Sequence, residues 1–214
     1  MSRALVLSPF DWPRFEALRA SVGTPRLEEL LARGAPWRDP EAPQRLARHE
    51  QSPIRLPGVF LRVALEAAPA RFAAEGAAFV ASVDEPGAAL LLVRAAATAR
   101  PAELPMSKDL LLGLFSEAWR GGFFPGGFPA RTAPEPLVAA LGGLEPGVSR
   151  LDLAAVRRAA DGLAHVELPS GLRPWRDGVD VDGQLDELLR QGLRELISTF
   201  LDAARAGWAM QVVG

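Results

Sequence analysis

Two histidines, His49 and His165, are the side chains best suited to move protons near neutral pH, because imidazole has the ordinary pKa nearest 7. His49 stands beside Glu50 in RLARHEQ, and His165 lies two residues before Glu167 in LAHVEL. A general base needs a carboxylate to orient its second nitrogen and a nucleophile within reach. If LAHVEL is a strand, its period of two puts His165 and Glu167 on one face, as such a pair requires. An exposed polar strand face produces the same pattern. His165, Glu167 and His49 are the candidate catalytic residues, and a hydrolase built on them would join a histidine, a carboxylate and an arginine in a cleft.

A second candidate is RGGFFPGGFP, residues 120 to 129, with Trp119 just ahead of it. A phosphate cradle needs glycines that open a helix, with backbone N–H groups aimed at the anion. Here the glycines follow the apolar segment SKDLLLGLFSEAWR, and Pro129 and Pro134 interrupt what comes next. Gly121 and Gly122 therefore read as a helix stop and Gly126-Gly127 as a second turn. Phe123, Phe124, Phe128 and Trp119 are partner-binding candidates if exposed, since aromatic side chains supply contact area at low entropic cost. Folded under the turn, they would be core.

RDGVDVDGQLDELL resembles a calcium loop only in part. With Gly183 at the obligatory glycine position, Asp180 and Asp182 fall on ligand positions, but Gly178 takes the first and Leu189 the last, where a bidentate Glu is needed. Asp-Gly turns leading into an acidic first helical turn account for the same residues. No metal and no cofactor are expected. The GxSxG, HExxH, Walker and GxGxxG patterns are all missing. Trp37 in APWRDP and Trp175 in RPWRDG are each followed by Arg-Asp, a recurrence short enough to arise by chance.

The chain has 214 residues, 49% hydrophobic and 23% charged, which is enough to bury a core. Its formal charge is -2, and no lysine or arginine cluster offers the footprint that nucleic acid requires. There is one lysine, Lys108, and neither Asn nor Tyr, against abundant Ala, Arg, Gly and Pro; this is the imprint of a GC-rich genome. The absence of cysteine excludes disulfides, a thiolate nucleophile and Cys-ligated zinc. MSRALVLSPFDW is broken by Ser8 and Pro9 too early for a signal peptide, and the richest apolar run, GAALLLVRAAATA, carries Arg94. A cytoplasmic address without membrane insertion is expected.

These residues must be positioned by elements that can be read in outline. ALVLS, residues 4 to 8, predicts a strand, and Asp11 with Pro13 predicts a capped helix carrying Phe15, Leu18 and Val22. Thr24-Pro25 opens a second helix that stops at Gly34. Residues 35 to 58 hold five prolines and predict an irregular connection with one helical turn around QRLARHE. VFLRVAL (59 to 65) and ALLLVRA (89 to 95) read as strands, with helix and then strand between them. Helices are expected over 107 to 120, 134 to 144 and 151 to 161. Leu185, Leu188, Leu189, Leu193, Leu196, Ile197, Phe200, Leu201 and Ala204 mark a long amphipathic helix, with Glu187 and Arg190, or Asp202 and Arg205, paired on its polar face. Gly207 ends that helix before the strand WAMQVV.

The stretch LISTFLDAARAGWAMQVVG, together with LVAALGGL, LDLAAVRRAA and the opening ALVLS and FEALRAS, resembles the YfbM-like family of small bacterial domains of unknown function. The likeness covers residues 1 to 33 and 134 to 214. Residues 35 to 133 show no counterpart of that family's central Trp- and His-bearing segment. The resemblance implies an α+β fold and carries over no functional residue.

The expected architecture is a single compact α+β domain over residues 1 to 214, with a mixed or antiparallel sheet flanked by helices, ending in the amphipathic helix and a terminal strand. The favoured function is a non-enzymatic protein-binding module of the adaptor or inhibitor (immunity) type, and the alternative is the hydrolase.

Overall fold

The computed structural model describes residues 4–51, 63–68, 70–72, 85–105, 148–164 and 184–213. Its strands are β1 (Leu5–Phe10), β2 (Ala102–Leu104), β3 (Val148–Leu151) and β4 (Ala209–Val213). Its helices are α1 (Trp12–Ala20), α2 (Pro25–Ala32), α3 (Ala42–Gln51), α4 (Glu85–Ala95), α5 (Leu153–Leu163) and α6 (Gln184–Ala206), with helical residues also at 63–67 and 70–72. The fold is α+β, with the long last helix running into a terminal strand as expected. The chain divides into two compact units, one of Met1–Leu7 with Pro101–Gly214 and one of Ser8–Arg100. Among the described residues no helix is long and apolar enough to cross a membrane.

The first unit is a sheet with helices packed on it. Strand order is β2-β1-β4-β3, with antiparallel registers Leu5↔Leu104 and Leu151↔Met210 at the outer pairs. Leu193, Leu196, Phe200 and Ala203 of α6 are buried at 3-4-3 spacing, and Val156, Ala159, Ala160 and Leu163 of α5 form the facing stripe. Asp152 caps α5 by accepting from the Ala155 N–H at 2.7 Å. Gly207, at φ 74, ends α6 in the left-handed conformation that a Cβ disfavours. Asp202 pairs with Arg205 as predicted, and Glu187 accepts from Arg194, two turns along the helix; the side chain of Arg190 lies outside the described ones.

β2 and β3 were not foreseen. β2 has three residues between Pro101 and Pro105, too few for a readable alternation. β3 ends at Leu151, the first residue of the stretch read as a helix, and the helix itself starts only after Asp152.

The second unit holds the corrections that matter for function. ALLLVRA is part of α4, not a strand: Ala89, Leu91, Leu92, Val93 and Ala95 are all buried, so no 3.6-residue polarity marks the helix. VFLRVAL is likewise no strand where it is described, since residues 63–67 are helical and the Ala68 N–H donates to the Ala64 carbonyl at 2.8 Å. Ala, Leu and Glu all favour that state. The connection from 35 contains α3, ten residues rather than one turn. Pro43 sits in its first turn, where a missing N–H costs nothing, and Asp39 Oδ1 accepts from the Glu41 N–H just before it at 2.8 Å. Asp11 caps α1 through the Arg14 N–H, and Phe10, Trp12 and Phe15 form a ring cluster with centroids 5.5 to 5.8 Å apart.

Candidate functional site

The charged centre of the second unit grows from Glu66. Its carboxylate is buried, with the side chain only 5% exposed, and it accepts from Arg94 Nε through Oε1 and from Arg45 Nη2 at 3.3 Å through Oε2. Arg45 Nη2 also meets Asp39 Oδ2. A helical turn, α3, α4 and the loop before α3 are thus tied to one carboxylate. A buried acid costs several kcal/mol to desolvate, roughly, unless its lone pairs are satisfied, and two guanidinium groups satisfy them here. Both of its carboxylate oxygens are thereby engaged by guanidinium donors.

Beside this network lies a cleft lined by Arg14, Gly34, Trp37, Arg38, Glu66 and Arg94, among others. It spans about 320 Å³ including its open mouth, but its enclosed part has room for no more than a water molecule. Arg14 is fixed by carbonyls: Nε donates to Ala95 at 3.1 Å and Nη2 to Leu30 at 3.0 Å. Burial pushes its pKa below the ordinary arginine value; Asp11 opposes the shift, and Arg33 and Arg38 add to it. The guanidinium remains charged at neutral pH.

Trp37 is anchored by its backbone N–H, which donates to the Ala97 carbonyl at 3.1 Å, and the Arg94 guanidinium lies 6.0 Å from its ring centroid. Arg38 is exposed and has no acceptor among the described residues. Its guanidinium rests against Gly34, where an added Cβ would stand 2.0 Å from Nη2. Gly34 has φ 73, the left-handed conformation that selects glycine there, whereas the Arg38 guanidinium is the movable end of a side chain.

His49 lies in the last turn of α3, half-buried, next to a Glu50 whose carboxylate is engaged by Arg71. It does not line the cleft. His165, Glu167, Trp119, Phe123, Phe124 and Phe128 lie outside the described residues, as do RDGVDVDG and the helices expected over 107 to 120 and 134 to 144. Among the described residues no group of three or more His, Cys, Asp or Glu could hold a metal ion.

Sequence reasoning did not assemble Arg14, Trp37, Arg38, Glu66 and Arg94 into a site. Two signals were present: the Trp-Arg-Asp triplet at 37 to 39, all of whose members belong to the cleft or its ion network, and Arg94 inside an otherwise apolar helix. No family model, curated protein or solved structure matches the chain.

Proposed function

We propose that this protein is a non-enzymatic protein-binding module of the adaptor or inhibitor kind, acting in the cytoplasm. The observation that carries the reading is the division of labour among the charges of the cleft. Its carboxylate, Glu66, is committed to two arginines, while Arg38 presents an exposed guanidinium without an acceptor among the described residues. Such an arrangement holds a partner's group in place, and among the described residues the cleft offers no uncommitted carboxylate to activate water. The shallow enclosed space favours a macromolecular surface over a small substrate that would need to be surrounded. The net charge of -2 argues for protein rather than nucleic acid as partner. Kinship with the YfbM-like domains is part of the same proposal.

The test is cross-linked capture from native lysate with the wild-type chain and with Arg38→Glu, run beside a metabolite screen by thermal shift. A partner retained by wild type and lost by the variant supports the module. No partner, together with a saturable shift by a metabolite, would overturn it.

A further inference from the structure

We propose that the group recognised at this cleft is a carboxylate, gripped jointly by Arg38 and by Nη1 of Arg14, so that the partner presents an acidic side chain. The proposal rests on the protein-binding reading and names its chemistry.

Five observations converge on it. Arg14 spends Nε and Nη2 on two carbonyls, which orient its guanidinium and leave Nη1 with no acceptor among the described residues. The missing side chain of Gly34 leaves room for the Arg38 guanidinium to lie against the backbone, and from there its fork lines the cleft. These two cations line the same cleft, and an anion between them would relieve their repulsion. Among the described residues, Arg14, Arg38, Arg45 and Arg94 are set against Asp11, Asp39 and Glu66, a balance of one positive charge that suits a monoanion. Arg33 is balanced by Glu29 at 2.9 Å. The enclosed part is too small for a whole metabolite, so a carboxylate would sit in the open mouth of the cleft, where Trp37 supplies an apolar wall for the chain that bears it.

The experiment titrates the full chain with a blocked Gly-Glu-Gly peptide, its Gly-Gln-Gly counterpart and inorganic phosphate, following the arginine Nε–Hε resonances by NMR. The glutamate peptide should shift Arg14 and Arg38 saturably and the glutamine peptide should not. Affinity should fall about tenfold in Arg38→Ala and by an intermediate amount in Arg38→Lys, which keeps charge but loses the fork. Equal response to both peptides, undiminished binding by Arg38→Ala, or phosphate binding tighter than the glutamate peptide overturns the proposal. Lysate capture that succeeds while the glutamate peptide fails would sink the carboxylate assignment alone. Peptide binding without any captured partner would instead remove the protein-binding reading and leave an anion site.

Discussion

The two units of this chain use charge in opposite ways. In the sheet-bearing unit, α5, α6 and β4 bury Leu, Val, Ala, Met and Phe, and the ion pairs of α6 lie in solvent: Asp202 and Arg205 are 68% and 76% exposed. In the other unit a carboxylate is taken inside, and half-exposed arginines converge on it. Exposed pairs contribute little because water and salt screen them, whereas a buried charge makes its partners obligatory. The first unit is therefore built for stability. The second places guanidinium groups at fixed positions, a property that recognition needs.

Variants in the two units should separate in size of effect, as read from urea unfolding. Phe200→Ala, which empties a fully buried site in the first unit, should cost about 4 kcal/mol. Arg94→Ala should cost about 3 kcal/mol by leaving Glu66 short of a partner, and replacing both with Leu should recover much of that loss. If Arg94→Ala were neutral, the buried network would not be structural and the contrast between the units would collapse. Gly34→Ala should cost about 1–2 kcal/mol from its positive φ and should also displace Arg38. The caps Asp11 and Asp152, one in each unit, use the same chemistry, and each should cost about 1 kcal/mol on replacement by Ala. Asp202→Ala should leave the midpoint unchanged.

The contrast also explains what could be read from the sequence. The first unit's last helix shows its period because one face meets the core and the other meets water, so Leu193, Leu196 and Phe200 stand out among charged neighbours. α4 is apolar on most sides, and Ala and Leu alone do not distinguish strand from helix. The prolines before α3 look like breakers, yet in a first turn they are harmless. Capping by Asp11 and termination at Gly34 and Gly207 are local and were legible. The cleft was not: Arg14, Trp37 and Arg38, Glu66, and Arg94 come from four separated stretches, and only tertiary packing makes them neighbours. His49, the catalytic candidate within the described residues, was singled out by residue type alone, and Arg71 holds the Glu50 beside it.

The central claim is that an arginine with no acid partner among the described residues, rather than the paired network behind it, is what a partner meets. The direct measurement is the affinity of wild type and Arg38→Glu for the glutamate peptide, taken with the urea midpoint of each. The account predicts unchanged stability, because Arg38 is exposed, together with binding weakened at least about tenfold. Undiminished binding by the variant would contradict it.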